Sequence, residues 1–230
     1  MKLYHGSINE IKKPVISAGK VHNDFGQGFY CTENYDLAAE WACQRNSSGY
    51  VNSYELDMSE LKVLDLLDGN FSVLNWIALL LKNRIFDMSS DAATDVFTYI
   101  TNNFTPDTSD IDLIIGYRAD DSYFSYAASF LNNGMSLQSL SKALRLGELG
   151  EQVVLKSKRA FNNLNFISAH SVNADEYYKK FISRDAAARI NYQKLKSKPT
   201  AINGVYAINI IQEGFEQNDT RLRPFILKRR

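Results

Sequence analysis

The order of apolar and polar residues along the chain predicts many short strands and helices in irregular succession. Apolar or alternating runs predict strands at residues 2–5, 29–32, 51–56, 62–66, 111–116, 151–156, 166–169 and 205–211. Apolar residues spaced three or four positions apart predict helices at residues 35–45, 70–84, 91–102, 121–132, 137–146, 157–164 and 173–196. Residues 9–23 are mixed and polar and contain Pro14 and Gly19, which predicts a loop.

These elements favour an α+β fold, because they lack the regular strand–helix–strand alternation of a doubly wound parallel sheet. We expect a split or mixed β-sheet with flanking helices in one compact domain, residues 1–170. Residues 171–230 are predicted to form a helical C-terminal extension packed on or beside that domain. Its long charged helix could offer a basic face to a nucleic acid, but a solvated surface helix is the commoner explanation.

Polar residues just before three of the helices predict N-caps. Asn34 precedes the helix at 35–45, Ser136 precedes the helix at 137–146, and Asp120 or Asp121 opens the helix between them. The two aspartates could instead bind a cation. A helix cap followed by an acid in the first turn explains the pair more simply.

Composition limits the class of protein. Hydrophobic residues make up 45% of the 230 residues, which is enough for a packed core. Lys plus Arg equals Asp plus Glu at 26 each, so the chain has no general attraction to polyanions. Cys31 and Cys43 are the only cysteines, and two free thiols in a chain of this length suit a reducing cytoplasm.

No membrane-spanning or secretory segment is predicted. The most hydrophobic run, residues 71–81, is about half the length that a bilayer requires, and Lys82 and Arg84 follow it. Met1 and Lys2 lead directly into the first predicted strand, without the apolar core of a signal peptide. We therefore expect a cytoplasmic protein without a membrane partner.

The stretch at residues 24–32, DFGQGFYCT, places two glycines directly before an aromatic strand. Glycine there indicates either a tight hairpin turn or a ligand that approaches the backbone closely. The pair Gly26 and Gly28 is not a dinucleotide fingerprint, because a third glycine and a preceding strand are missing. It is not a phosphate loop either, since no Gly-Lys-Ser/Thr follows.

Isolated reactive side chains give weaker signals. His5 ends the first predicted strand, and a single histidine is more often structural than functional. The three histidines of the chain are widely spaced, so a metal triad is not expected. Ser7, Cys31 and Cys43 have no adjacent base in a recognisable nucleophile setting.

Taken together, three segments resemble a known superfamily. Residues 3–7 (LYHGS), 24–32 (DFGQGFYCT) and 38–42 (AAEWA) are similar, in order and spacing, to the first half of an ADP-ribosyltransferase fold. The arrangement is of the His-Tyr-Glu kind found in diphtheria toxin and the poly(ADP-ribose) polymerases. The closer likeness is to an uncharacterised bacterial family allied to that superfamily. That family shares segments like residues 111–121 (IDLIIGYRADD) and 150–157 (GEQVVLKS), and the likeness covers roughly residues 2–170.

The resemblance implies an ADP-ribosyltransferase-like split sheet and a site that binds NAD as a consumed substrate. His5 would hydrogen-bond the adenine-side ribose, and the backbone of Gly6 would hold the nicotinamide amide. Tyr30 would stack on the nicotinamide ring. Gly26 and Gly28 would let the backbone come close to the ligand.

Further residues complete the implied site. Ser7 and Phe29 belong to the same two motifs, and Arg118 would meet a phosphate. The third catalytic member should be a glutamate at the start of a later strand, which matches Glu151 first and Glu148 second. A solvated acid at a strand entrance is the structural alternative for either glutamate.

The resemblance implies a mono-ADP-ribosyltransferase that cleaves the nicotinamide–ribose bond and transfers ADP-ribose to a protein or nucleic-acid acceptor. One alternative is a catalytically inactive module of the same fold that binds NAD, ADP-ribose or a partner. Another is a toxin or phage-defence effector that modifies nucleic acid and is paired with an antitoxin. The sequence does not name the acceptor.

Overall fold

The structure, a computed structural model, describes residues 1–86, 90–119, 121–146, 150–196 and 204–229. Asp120 and Glu148 lie outside the described residues, as does the side chain of Asp121. The structure therefore does not describe the predicted cap at these aspartates or the alternative catalytic acid Glu148. Within the described residues the chain is a mixed α+β protein with several sheets, as predicted.

The described strands and helices follow each other irregularly along the chain. The strands are β1 (Lys2–Ser7), β2 (Phe29–Cys31), β3 (Gly49–Leu56), β4 (Val63–Asp65), β5 (Asp68–Ser72), β6 (Leu113–Tyr117), β7 (Glu151–Leu155), β8 (Leu164–Val172) and β9 (Ile226–Lys228). The α-helices are α1 (Tyr35–Ala42), α2 (Val73–Asn83), α3 (Asp91–Phe104), α4 (Asp121–Leu131), α5 (Leu137–Leu146), α6 (Lys158–Asn162), α7 (Ala174–Lys196) and α8 (Ala207–Gln212).

Two main sheets and one two-stranded ribbon organise the strands. The first sheet has the order β1-β3-β8 and is antiparallel. The second has the order β2-β7-β6-β4, in which only the pair of β4 and β6 is parallel. Tyr4 and Thr32 exchange two backbone hydrogen bonds of 2.8 and 2.9 Å, which joins β1 to the end of β2. The two sheets therefore meet along the first two strands of the chain.

Side chains of both sheets share one apolar layer. Leu3 and Tyr54 of the first sheet are buried with Leu113 and Val153 of the second. On the far side of the first sheet, Ala38 of α1 packs in a smaller cluster with residues of β3 and β8. The opposite face of the second sheet packs on α2, whose residues 73–81 are all buried.

Local side-chain chemistry explains where several helices begin. The Asn34 side chain accepts a hydrogen bond from the amide of Leu37, and Ser136 accepts one from Ser139, which confirms both predicted caps. The helix predicted from residue 70 begins only at Val73, because the amide of Ser72 donates to the side chain of Asn75.

The prediction of a strand at residues 205–211 is wrong. This segment forms α8, and the amide of Tyr206 donates to the Asn209 side chain at 2.8 Å in the first turn. Ala207 and Ile210 are buried three positions apart, which is a helical spacing. A short apolar run of this length does not distinguish a strand from a buried helix by periodicity.

The end of the chain returns to the main core. Phe215 and Leu227 belong to the same apolar cluster as α2, and β9 pairs with β5. The segment after residue 170 therefore contains a strand as well as helices, and the predicted boundary at 170 falls inside β8. Among the described residues, no helix combines the length and the apolarity that crossing a membrane requires.

Candidate functional site

A cleft of about 450 Å³ opens where β1 and β2 join the two sheets. Its volume lies in the range of small-molecule and cofactor sites. One wall is the loop after β1, including Pro14, Val15 and Lys20. Six of the residues predicted from the resemblance line the cleft, namely His5, Gly6, Gly28, Phe29, Tyr30 and Arg118.

His5 and Tyr30 lie next to each other because of the strand joint between Tyr4 and Thr32. The Nδ1 atom of His5 is 2.7 Å from the carbonyl oxygen of Tyr30. The imidazole ring also packs on Phe29, with 4.3 Å between the ring centres. His5 and Tyr30 are 25 positions apart in the sequence, and the hydrogen bonds between Tyr4 and Thr32 bring them to one site.

The hydrogen bond of His5 fixes its tautomer. A carbonyl oxygen only accepts, so Nδ1 carries the proton and donates. Burial lowers the pKa of His5, and the hydrogen bond to Tyr30 only partly opposes this effect. The ring is therefore neutral near pH 7, and its Nε2 atom is an acceptor for a ligand hydroxyl.

This state of His5 makes the affinity of the cleft for a ligand whose hydroxyl group donates to Nε2 depend on pH in one direction. We expect the affinity to stay constant from about pH 8 down to 6.5, the ordinary pKa of histidine, and to fall only at lower pH. Protonation would turn Nε2 from an acceptor into a donor and add a positive charge to the cleft. Isothermal titration calorimetry at several pH values measures the profile.

The control for this prediction is His5→Gln, whose amide does not titrate. Its profile should be flatter than that of the unaltered protein. Asp24 also titrates in the cleft, and burial raises the pKa of its carboxyl group. A profile that is identical in His5→Gln would assign the step to Asp24 and contradict the role given to His5.

The Tyr30 hydroxyl group holds the preceding loop. It donates to the carbonyl of Gly26 at 2.6 Å and accepts from the amide of Phe25 at 3.0 Å. Burial raises the pKa of Tyr30, so the hydroxyl stays protonated. Because both hydrogen bonds are made within the protein, the ring face is the part of Tyr30 that a ligand can use.

The loop that contains the two glycines is fixed from both sides. Gly26 has a φ of +75°, a left-handed conformation that favours glycine. The ammonium group of Lys156 donates to the carbonyls of Phe25 and Gln27 at 2.5 and 2.7 Å. Burial lowers the pKa of Lys156. Gly26 itself does not line the cleft, and its role is to shape the loop.

Asp24 opens this loop and was not among the predicted site residues. Its side chain is almost fully buried, and its Oδ2 atom accepts from the amide of Ala119 at 2.8 Å and from Nε2 of Gln152 at 3.0 Å. Its Oδ1 atom is 2.6 Å from Nη2 of Arg84. One carboxylate thus connects the glycine loop, α2 and the ends of β6 and β7.

Arg118 lies against an aromatic wall of the cleft. Its guanidinium carbon is 5.2 Å from the centre of the Trp41 ring, a cation–π distance. Trp41 belongs to α1 and is half-buried, and its Nε1–H is shielded from solvent and has no hydrogen-bond partner among the described residues. The cleft therefore offers flat apolar rings and guanidinium groups side by side.

The predicted catalytic residue Glu151 and its neighbour Gln152, which was not predicted, lie on different faces of β7. Val154 pairs with Tyr30, so alternation along β7 places Gln152 on the face of Tyr30 and Glu151 on the other. Gln152 lines the cleft, whereas Glu151 does not and lies 3.6 Å from Arg229. The carboxylate that lines the cleft within the described residues is that of Asp24.

One further predicted contact, Ser7, is absent from the cleft lining. Ser7 accepts a hydrogen bond from the amide of Asn9 at 3.2 Å and lies beyond the cleft. Within the described ranges, no group of three or more His, Cys, Asp or Glu side chains is arranged to hold a metal ion.

The fold and the cleft define an α+β protein whose two main sheets meet at an aromatic, cationic cavity. The chain belongs to the family described as protein of unknown function DUF3990, whose family model matches residues 1–166. That match includes every element that lines the cleft. No curated protein and no solved structure matches the chain.

Proposed function

We propose that the protein is an NAD-dependent mono-ADP-ribosyltransferase and that the cleft at the strand joint binds NAD. The observation that carries the proposal is that His5 and Tyr30 line one cleft of about 450 Å³. The Nδ1 atom of His5 lies 2.7 Å from the backbone carbonyl oxygen of Tyr30. The resemblance to the His-Tyr-Glu superfamily implies an NAD site from these two residues, and both face the same cavity.

The charge of the cleft supports a ligand with phosphate groups. Among the described residues, Lys20, Arg84 and Arg118 line it together with a single carboxylate, Asp24, and a neutral His5. The described part of the lining therefore carries a net positive charge. Phe29, Tyr30 and Trp41 supply aromatic surface for flat rings. NAD combines a diphosphate with two flat bases, and both features have partners here.

The proposed reaction breaks the bond between the nicotinamide nitrogen and the ribose carbon. The bonding electrons leave with nicotinamide, and the acceptor's nucleophile forms the new bond to the same carbon and loses a proton. In the proposed roles, Tyr30 holds the nicotinamide ring and His5 Nε2 accepts from the adenine-side ribose. Positive charge on the ribose in the transition state requires nearby oxygen acceptors. The side-chain oxygen of Gln152 is one that the cleft offers.

A second function is favoured by one observation, the presence of Gln152 instead of a glutamate at the cleft position of β7. A glutamine cannot act as a general base. The alternative proposal is thus a module that binds NAD, ADP-ribose or a partner without turning NAD over.

The test is an incubation of the protein with NAD, labelled in its adenosine part, and a cell extract. We expect label on a macromolecule and one nicotinamide released for each transfer. Binding of NAD without nicotinamide release would support the non-catalytic module. If NAD is neither bound nor cleaved, the transferase fails and so does an NAD-binding module.

Two neighbouring variants serve as the matched comparison in this assay. Gln152→Ala should lower the rate more than Glu151→Ala, because Gln152 lines the cleft and Glu151 does not. The reverse order would assign the catalytic role to Glu151, as the resemblance implies, and would require its side chain to move in the complex.

The acceptor in this proposal is a protein or a nucleic acid in the cytoplasm, and an antitoxin remains a proposed partner. Two of the cations of α7 are already paired, since Arg184 contacts Glu40 at 2.9 Å and Arg189 contacts Asp185 at 2.8 Å. These contacts favour a protein acceptor over a nucleic acid held along α7.

A further inference from the structure

The floor of the cleft contains a buried ion pair that the roles above do not use. Asp24 has a side chain that is 2% exposed, and Arg84 beside it is 21% exposed. Arg84 follows α2 directly and also donates from Nη2 to the carbonyl of Ala119 at 2.9 Å. Asp24 and Ala119 together therefore determine where the guanidinium group lies.

The contacts of Arg84 occupy only one end of its guanidinium group. Nη2 meets both Asp24 and Ala119, and the group lies 5.5 Å from the centre of the Phe124 ring. No described residue accepts a hydrogen bond from Nη1. Nε is shielded from solvent, and Arg84 lines the cleft, so the two N–H groups of Nη1 remain for a ligand.

A second guanidinium group shares this carboxylate. Arg84 and Arg118 both act electrostatically on Asp24, where they oppose the rise that burial causes in the pKa of its carboxyl group. Among the described residues, two guanidinium groups therefore lie near one carboxylate at the cleft floor. An anion that enters the cleft would be attracted to both guanidinium groups.

We propose that Arg84 is a second phosphate-contacting residue of the cleft, acting beside Arg118, and that Asp24 is the positioning residue that orients it. The geometry thus assigns the cleft floor to the diphosphate of the ligand. The identity of that ligand as NAD rests on the proposed function, but the anion site itself requires only a phosphate group. A guanidinium group whose Nη2 is held by Asp24 and Ala119 can donate to a phosphate oxygen from Nη1, in an orientation that those two contacts fix.

The obvious alternative is a purely structural ion pair between Asp24 and Arg84. Such a pair would affect folding and would affect all ligands of the cleft equally. A phosphate-contacting Arg84 instead affects ligands with phosphate and spares those without it. The comparison of two ligands therefore separates the two roles.

The experiment measures the affinity of the full chain for inorganic pyrophosphate, ADP-ribose and adenosine by calorimetry. Arg84→Gln should weaken binding of pyrophosphate and ADP-ribose about tenfold or more, and should leave adenosine within about twofold. Arg223→Gln is the matched control, because Arg223 is exposed and does not line the cleft, and it should change none of the three affinities. Equal weakening of all three ligands, or of none, would overturn the proposal.

Arg84→Lys guards against a folding failure of Arg84→Gln, which leaves Asp24 without its partner. Lysine keeps the charge, but its single nitrogen cannot contact Asp24 and Ala119 at one end and a phosphate at the other. We expect it to fold and still to lose phosphate affinity selectively, and full retention would contradict the assignment. If the unaltered protein binds pyrophosphate but not NAD, the anion site stands and the proposed function fails. If it binds NAD but the Arg84 variants weaken no ligand selectively, the NAD site stands and the phosphate-contacting role of Arg84 fails.

Discussion

Replacing Tyr30 by alanine should weaken NAD binding about 10- to 100-fold, which corresponds to the roughly 1–3 kcal/mol that one base stacked on an aromatic side chain contributes. The stacking role is assigned to the ring face, since the hydroxyl group of Tyr30 already donates to Gly26 and accepts from Phe25. Calorimetric titration with NAD measures the change. The rate of nicotinamide release at low NAD concentration should fall in parallel.

Tyr30→Phe is the matched control, because it keeps the ring and removes only the hydroxyl group. It should retain most of the NAD affinity and lose about 1 kcal/mol of stability for the lost loop hydrogen bonds. If Tyr30→Phe binds as weakly as Tyr30→Ala, then the loop and not the ring determines affinity. Unchanged affinity in Tyr30→Ala would reject the stacking role.

Replacing Gly6 by alanine should lower the free energy of unfolding by about 3 kcal/mol or more, at the upper end of what overpacking costs. A Cβ atom at Gly6 would lie 1.9 Å from the carbonyl oxygen of Ala38 and 2.9 Å from Cβ of Trp41. Both contacts are with α1, so the helix must move away from β1. Urea unfolding measures the loss.

Gly214→Ala provides the comparison for this variant. Gly214 has a φ of +61°, and a Cβ atom there meets nothing within 4 Å. Its cost should be about 1 kcal/mol, from backbone strain alone. Because Trp41 lines the cleft, Gly6→Ala should also weaken NAD binding, whereas Gly214→Ala should not. Equal stability of the two variants would contradict the close packing of α1 on β1.

Most of the strands and helices could be predicted from the sequence because they carry strong local signals. The strands around residues 29–32, 51–56 and 151–156 and the long charged helix from residue 173 all have counterparts in the structure. The cap at Asn34 is a local interaction over three residues, and it is present as predicted. The segment at 205–211 was misassigned because a short apolar run lacks a decisive period.

The site was harder to predict, since it depends on contacts between distant residues. His5 and Tyr30 were identified through the resemblance, and the strand joint that brings them together is not visible in either motif. Asp24 stood next to the glycine pair, but its partners Arg84 and Gln152 are 60 and 128 positions away. An aspartate at the start of a glycine loop carries no sequence signal for such partners.

The prediction of Glu151 shows the limit of pattern reasoning most clearly. An acid at the start of an apolar strand matches the pattern that the resemblance implies, and the pattern contains no information about register. A shift of one residue reverses which face of a strand a side chain lies on. Only the pairing of Tyr30 with Val154 places Gln152 on the face of Tyr30.

The most direct measurement is a crystal structure of the protein with NAD. The account predicts the nicotinamide ring on the face of Tyr30, a ribose hydroxyl group within hydrogen-bond distance of His5 Nε2, and the diphosphate beside Arg84 and Arg118. NAD bound elsewhere, or a cleft that stays empty at saturating NAD while the protein is folded, would contradict the central claim.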